Sequence, residues 1–131
     1  MSKPFSTPIP FTESQNHAIK GIRLIIKNER NFRIQLVVAV LVITAGLILQ
    51  ISHRDWIAVG FLIALVLVTE AFNSVIEAVC DTISKEYRLN IKYAKDVSAG
   101  AVLVSAILSA GLGLIIFVPY IIPYIQQVLN R

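Results

Sequence analysis

Long apolar blocks separated by short polar segments dominate the pattern of this chain. The blocks lie at about 34–51, 56–80 and 97–118, and each approaches or exceeds the roughly 20 residues that cross a hydrocarbon core about 30 Å thick. Hydrophobic residues fill 56% of the 131 positions, a share that soluble domains of this size rarely reach. We therefore predict an all-α integral membrane protein with three transmembrane helices.

A further helix is predicted before the first block, from about Thr12 to residue 30. Thr12 followed by Gln15 fits a capping box. Apolar residues then recur at helical spacing, and most cations lie off that stripe: Ala18, Ile19, Ile22, Ile25 and Ile26 against Lys20, Arg23 and Lys27. Such a basic amphipathic helix fits the membrane surface. Packing of its apolar side against other protein helices is an equal alternative.

Prolines delimit the membrane domain, which is expected to cover 12–118. Three prolines within the first ten residues predict that 1–11 form a flexible tail. Pro119 and Pro123 predict that the third span ends near residue 118 and that 119–131 form a C-terminal tail.

The distribution of cations predicts the orientation in the membrane. Of the 12 Lys and Arg residues, six precede the first span and four lie in the second connection, 81–96. Because cations are retained on the cytoplasmic side, the N-terminus and this connection are expected there. The turn SHRD at 52–55 then lies outside, with Trp56 as an interfacial anchor. The net charge of +4 is explained by this bias, so nucleic acid is not expected as a partner.

One polar stripe interrupts the second span. At about 100° per residue, Glu70, Asn73, Glu77 and Asp81 fall on one narrow helix face that runs from within the membrane to the cytosol. A carboxylate at membrane depth costs several kcal/mol unless it is paired, hydrated or protonated, so function is the default explanation for Glu70 and Glu77. For the exposed acids, ordinary ion pairs across helices are an equal alternative.

The stripe has the chemistry of a site for phosphate and metal. Carboxylate and amide oxygens suit Mg²⁺, and a carboxylate that the metal does not use can accept a proton. Glu29 precedes the first span at the same cytoplasmic level, and Lys95 and Asp96 precede the third. These residues favour phosphoryl transfer beside the bilayer, with a lipid hydroxyl as acceptor.

Small residues recur every four positions in the third span, at Ala101, Ser105, Ser109 and Gly113. This spacing predicts close helix packing. Since three spans offer little protein to bury intramembrane carboxylates, homo-oligomerisation is expected as well.

Several spaced motifs add a family resemblance: KGIR at 20–23, NERNFR at 28–33, EAFNSVIEAVCD at 70–81 with E-x-x-N-[ST]-x-I-E-x-x-x-D spacing, EY at 86–87 and AKDVSAGAVL at 94–103. In them the chain closely resembles the small integral-membrane prokaryotic diacylglycerol kinases and their undecaprenol kinase relatives. The resemblance implies a homotrimer in the bacterial cytoplasmic membrane, with sites where neighbouring subunits meet. It also implies transfer of phosphate from ATP to a lipid hydroxyl, with Mg²⁺ as cofactor.

The resemblance also implies roles for individual residues. Glu70 would be the general base, with Asn73 helping to orient the lipid hydroxyl. Glu29 and Glu77 would hold the Mg²⁺ of ATP. The remaining candidates are Lys95 for the phosphates, Asp81 and Asp96 on the nucleotide side, and Lys20 and Ser74 as second-tier residues.

Two questions stay open at this level. Many relatives have histidine after EY where this chain has Arg88, and diacylglycerol and undecaprenol kinases share the same motif. A non-enzymatic channel or stabilising subunit is the alternative function. Against a channel, residues 57–69 in the outer half of the second span contain no ionisable side chain.

Overall fold

The computed structural model describes residues 10–83 and 88–130. Within these ranges the chain forms four α-helices and no strand: α1 Phe11–Asn28, α2 Arg30–Leu49, α3 His53–Ile83 and α4 Leu89–Leu129. Three of them, α2, α3 and α4, are long and apolar enough to cross a membrane. The predicted all-α class with three spans is confirmed.

α1 begins two residues earlier than the predicted capping box at Thr12 implies. Pro10 is the N-cap, no side chain caps the helix, and the Pro10 carbonyl accepts the first backbone bonds, from the amides of Glu13 and Ser14. The capping box of Thr12 and Gln15 is therefore wrong, because Thr12 already lies inside the first turn. Residues 1–9, most of the predicted tail, lie outside the described residues.

The junction of α1 and α2 is a sharp break at Glu29, whose backbone is extended at φ −95° and ψ 114°. Arg33 reaches back across this break, and its guanidinium donates to the carbonyls of Ile26 at 3.1 Å and Lys27 at 2.7 Å. A cation on the last carbonyls of a helix satisfies them and complements the helix dipole. Arg33 thus fixes where α1 ends and where Glu29 is held.

The turn between α2 and α3 closes tightly around Gly46. Gln50 adopts the left-handed conformation at φ 52°, and the Ile51 amide returns to the Gly46 carbonyl. A methyl group added at Gly46 would lie 2.9 Å from the Trp56 ring and 3.2 Å from Ile51. Trp56, predicted as an interfacial anchor, therefore has a packing partner within the protein, and only glycine fits beneath its ring.

α3 and α4 form the most extensive helix pair. The Thr69 and Ser105 hydroxyls lie 2.8 Å apart, and the Ser109 hydroxyl donates to the Leu62 carbonyl at 3.4 Å. The predicted packing surface of small residues is confirmed at these two serines, whereas Ala101 is exposed.

Both ends of α4 extend further than predicted. The helix starts at Leu89 and α3 runs to Ile83, so most of the predicted connection 81–96 is helical. At its other end α4 continues through Pro119 and Pro123 to Leu129, so the predicted end at residue 118 is wrong. Proline removes one backbone N–H and its ring crowds the carbonyl four residues earlier, and a helix in a membrane tolerates both when neighbouring groups hold it in place.

One such neighbour contact involves Tyr120. Its hydroxyl donates to the Asp55 carboxylate and accepts from the Ser52 amide at 3.2 Å. The Ser52 hydroxyl also donates to Asp55, at 2.7 Å. The hydrogen bonds from Tyr120 and Ser52 lower the pKa of Asp55, which precedes the apolar part of α3. We call this set, Ser52, Asp55 and Tyr120, the turn clasp, because it ties α4 to the turn between α2 and α3.

Candidate active site on the polar face of α3

Glu70 is the most deeply buried acid of the described chain, with 2% of its surface exposed. The Gln35 amide of α2 donates from Nε2 to Glu70 Oε2 at 3.0 Å. In the described part of the chain no Lys or Arg pairs with Glu70. The ion pair that a lysine or arginine does form there joins Lys95 to Asp81. Glu70 is thus held by a neutral hydrogen-bond donor from a neighbouring helix.

One turn further along α3, Asn73 connects two helices. Its Nδ2 donates to Glu77 Oε1 at 3.1 Å, and the Ser98 hydroxyl of α4 lies 2.7 Å from its Oδ1. Asn73 and Ser98 are both buried, whereas Glu77 is half-buried. We call Ser98, Asn73 and Glu77 the amide relay. It holds one oxygen of the Glu77 carboxylate.

The end of the stripe at Asp81 contains an ion pair. Lys95 of α4 donates to Asp81 of α3. This hydrogen bond raises the pKa of Lys95, which precedes the apolar part of α4, so the lysine keeps its charge. Asp81 and Asp96 are exposed. Ser74 donates its hydroxyl to the backbone carbonyl of Glu70 at 3.1 Å. Lys20 is exposed on α1.

Glu29 stands at the break between α1 and α2 and is half-buried. Among residues 10–83 and 88–130, no three His, Cys, Asp or Glu side chains come together as a metal site within one chain. The hard oxygens of Glu29 and Glu77 nevertheless suit Mg²⁺, which commonly uses one or two carboxylates together with substrate phosphates and waters. Glu29 and Glu77 as holders of a nucleotide-borne metal stay a prediction.

An apolar groove of about 690 Å³ runs between α2, α3 and α4, and Gln35 lies at its polar end. Its α2 side includes Val38, Val42 and Leu49, and its far end reaches Ile121 of α4. The groove thus runs along the helices from the side chain that holds Glu70 to Ile121.

Comparison with known proteins decides the family. The family model described as prokaryotic diacylglycerol kinase matches residues 16–117. The chain belongs to this family. The resemblance predicted from the motifs is confirmed, and with it the class of enzyme, a lipid kinase.

Curated relatives in the prokaryotic diacylglycerol kinase family carry two names. An undecaprenol kinase of Bacillus subtilis (strain 168) is 36% identical over 109 residues, 83% of this chain and 89% of the relative. A diacylglycerol kinase of Synechocystis sp. is 37% identical over 110 residues, 81% of this chain and 61% of the relative. A diacylglycerol kinase of Escherichia coli (strain K12) is 31% identical over 97 residues, 74% of this chain and 80% of the relative.

The structure brings together part of the set predicted for this kinase family. Asn73 contacts Glu77 along one face of α3, and Lys95 of α4 contacts Asp81 of α3. Ser74 bonds the backbone of Glu70 only. The roles of these residues, and those of Glu29, Asp96 and Lys20, remain predictions. The EY motif at 86–87 lies outside the described residues.

Sequence reasoning missed two residues of this site, Gln35 and Ser98. Gln35 is a polar residue within the apolar block 34–51, and Ser98 lies just outside the series of small residues at 101, 105, 109 and 113. The signal for Gln35 was its polarity within an apolar run, since an amide at membrane depth needs a partner. For Ser98 the sequence contains no comparable signal.

Proposed function

We propose that this chain transfers the γ-phosphate of Mg-ATP to the hydroxyl of a membrane lipid, diacylglycerol or undecaprenol, at the cytoplasmic interface. The observation that carries the proposal is the buried Glu70 carboxylate, bonded by the neutral Gln35 amide at the end of an apolar groove. Membership of the diacylglycerol kinase family supports the reaction class.

The proposed chemistry uses Glu70 as general base. As the lipid oxygen forms its bond to the γ-phosphorus, the bond to the β–γ bridging oxygen breaks and ADP leaves. The hydroxyl proton passes to the free oxygen of the Glu70 carboxylate, because the other oxygen is held by Gln35. Asn73, one turn away, helps to orient the acceptor.

Glu29 and Glu77 are the proposed holders of Mg²⁺. When bound, the ion neutralises charge on the β- and γ-phosphate oxygens. Within the amide relay, Asn73 holds one oxygen of the Glu77 carboxylate. The other oxygen is the proposed Mg²⁺ ligand. Lys95 is proposed to contact the phosphates, with Asp81 and Asp96 on the nucleotide side. Lys20 and Ser74 have secondary roles.

The proposed placement is in the bacterial cytoplasmic membrane as a homotrimer, with the N-terminus in the cytoplasm. The excess of cations before the first span and near residues 85–95 supports this orientation. α1, which buries none of its residues within the single chain, lies on the membrane surface in this arrangement.

The test is a phosphate-transfer assay on the purified protein in lipid, with labelled ATP and Mg²⁺. Diacylglycerol and undecaprenol are presented side by side, each at a range of concentrations. We expect labelled lipid phosphate from at least one of the two, in a reaction that chelation of Mg²⁺ stops. Absence of transfer to either lipid would refute the lipid kinase function.

A further inference from the structure

The C-terminal end of α4 extends beyond the residues that the family model matches. That match covers 16–117, whereas α4 continues to Leu129. The turn clasp fixes α4 at Tyr120, and residues 122–129, which we call the distal segment, follow it. Every residue of the distal segment is exposed. The chemistry proposed for Glu70 and Glu77 does not use this segment, so its apolar character needs a separate explanation.

The clasp marks the level at which α4 leaves the apolar layer of the membrane. Val97 follows the last charged residue before the span, and from Val97 to Tyr120 the helix rises about 35 Å at 1.5 Å per residue. This length is close to a hydrocarbon core about 30 Å thick. Tyr120 also bonds Ser52 and Asp55 in the polar turn between α2 and α3. The distal segment therefore begins at one surface of the membrane, and it adds about 12 Å of helix.

The distal segment is amphipathic. At about 100° per residue its aliphatic side chains share one face about 120° wide. This distal face consists of Ile122, Ile125, Val128 and Leu129, which are 49% to 78% exposed. Gln127 and Asn130 lie on the opposite side of the helix, and Tyr124 lies at the edge of the distal face. An apolar face opposite a polar one is typical of a helix in the membrane interface, and tyrosine fits the level of the headgroups.

The bilayer is the nearest apolar phase for the distal face. The distal segment continues a membrane-spanning helix, so its apolar side chains are held at the lipid surface without any association between proteins. A coiled coil between copies of the chain is a weaker occupant. Eight residues supply about one heptad, whereas a coiled-coil pattern runs over about three to four.

Two prolines allow α4 to turn towards the membrane plane. Pro119 and Pro123 stand on either side of Tyr120 and at the start of the distal segment. Each lacks the N–H that would bond the carbonyl four residues earlier, and sharp bends in helices occur at such positions. A helix that is longer than the bilayer is thick is accommodated by a bend of this kind.

We propose that the distal segment is a lipid-surface anchor. It lies in the headgroup layer on the side of the membrane where the turn clasp lies, with the distal face towards the acyl chains and Gln127 in water. Transfer of the exposed aliphatic side chains from water to lipid drives the insertion. The clasp holds α4 at Tyr120, and the anchor holds the helix end that follows.

The test measures the depth of single nitroxide labels in vesicles of phosphatidylcholine and phosphatidylglycerol. Cys80 is the only cysteine of the chain, so labels are placed one at a time in a Cys80→Ala background. Ile122→Cys and Ile125→Cys report on the distal face, and Gln127→Cys and Asn130→Cys report on the opposite side. We expect the first pair about 5–10 Å inside the headgroup boundary, accessible to oxygen and shielded from a water-soluble nickel chelate. The second pair should show the reverse.

Two reference labels calibrate the scale. Leu114→Cys lies at an exposed position within the span and should be accessible to oxygen. Arg54→Cys lies at an exposed position of the polar turn and should be accessible to the chelate. Because all labelled positions are exposed, the labelled variants should keep the thermal midpoint of Cys80→Ala.

Three results would overturn the anchor. Chelate access at all four positions of the scan would place the segment in water, and oxygen access at all four would place it wholly in the hydrocarbon. Broadening of the Ile125→Cys spectrum that disappears on dilution with unlabelled protein would show that copies of the chain cover the distal face.

A measurement on the wild type covers the case in which Cys80→Ala does not fold. In nanodiscs that contain a lipid with a nitroxide near the top of its acyl chain, the NMR signal of the Ile125 methyl groups should be attenuated. The side-chain amide signal of Gln127 should be largely retained. Equal attenuation of the two signals, or none, would also overturn the proposal.

Discussion

A buried carboxylate and its neutral partner define the chemistry at the scale of single residues. Glu70 is 2% exposed and bonded by the neutral amide of Gln35, and no lysine or arginine of the described residues pairs with it. Burial of an unpaired carboxylate costs several kcal/mol, and a protein that needs a proton acceptor at membrane depth has a reason to bear that cost.

Glu70→Gln tests this assignment with little change in shape. The amide of Gln35 can still donate to the new side-chain oxygen, but no carboxylate remains to accept the substrate proton. We expect kcat to fall by about 10²- to 10⁴-fold while the thermal midpoint stays the same or rises, because a buried charge is removed. Glu13→Gln, at an exposed acid of α1, is the control and should keep full activity. Near-normal activity of Glu70→Gln would refute the role of general base.

Ser98→Ala tests the amide relay. Without the hydroxyl 2.7 Å from its Oδ1, Asn73 no longer has a fixed orientation, and the hold on Glu77 weakens. We expect kcat to fall about tenfold, in line with the loss of one buried hydrogen bond, and the Mg²⁺ concentration for half-maximal rate to rise.

Ser105→Ala is the control for the relay, because it removes a buried hydroxyl from the same helix that bonds Thr69 and not Asn73. Both variants should lose similar stability, but only Ser98→Ala should alter the Mg²⁺ dependence. An equal effect of both on that dependence would show that Ser98 serves packing alone.

Helical geometry made part of this site predictable from the sequence. Glu70, Asn73 and Glu77 share one face because positions three, four and seven apart coincide on any α-helix, and the structure joins Asn73 to Glu77. Gln35 and Ser98 come from other helices, and which side chain of a neighbouring helix meets Glu70 or Asn73 depends on the rotation and depth of that helix. Hydrophobic pattern alone does not specify either quantity.

At the scale of helices, the two prolines of α4 show where local rules fail. Proline removes a backbone donor, and from this the helix was expected to end near residue 118, yet it continues to Leu129. The turn clasp supplies the compensating contact, from Tyr120 to Asp55 and Ser52. A contact between residues 65 positions apart is not visible in the local sequence.

Tyr120→Phe tests the turn clasp. The loss of its hydroxyl should lower the thermal midpoint at pH 7 and leave kcat unchanged at low temperature, because the family match ends at residue 117. Tyr124→Phe, at an exposed tyrosine one turn further, is the control and should not alter the midpoint.

The effect of Tyr120→Phe should also depend on pH. The pKa of Asp55 is lowered in the folded protein, so the stabilisation exists above the ordinary value of 3.8 and is lost as the pH falls through the lower, folded value. The difference between Tyr120→Phe and wild type should therefore be similar at pH 7 and pH 5 and should shrink in stronger acid. A difference that grows on acidification would contradict this account of the clasp.

At the scale of the whole molecule, the proposed site draws on residues from separate helices of the chain. Glu29 lies at the break between α1 and α2, and the described residues contain no metal site with three protein ligands in one chain. Most apolar side chains of α2 and α4 are exposed, as expected for helices that contact lipid or other subunits. The proposed trimer would account for both features, if Glu29 of one subunit meets Glu77 of the next.

Mixing of two inactive variants tests this shared site. Glu29→Gln and Glu77→Gln should each abolish transfer, because each removes one proposed Mg²⁺ ligand from every site. When equal amounts are unfolded and reassembled together, a site that takes Glu29 from one subunit and Glu77 from its neighbour is intact in about one case in four. We therefore expect about a quarter of wild-type kcat from the mixture and none from either variant alone. The control mixes the single variant Glu70→Gln with the double variant Glu70→Gln/Thr44→Val. This mixture should stay inactive. No recovery from the first mixture, with trimers present by crosslinking, would mean that both glutamates of each site belong to one chain.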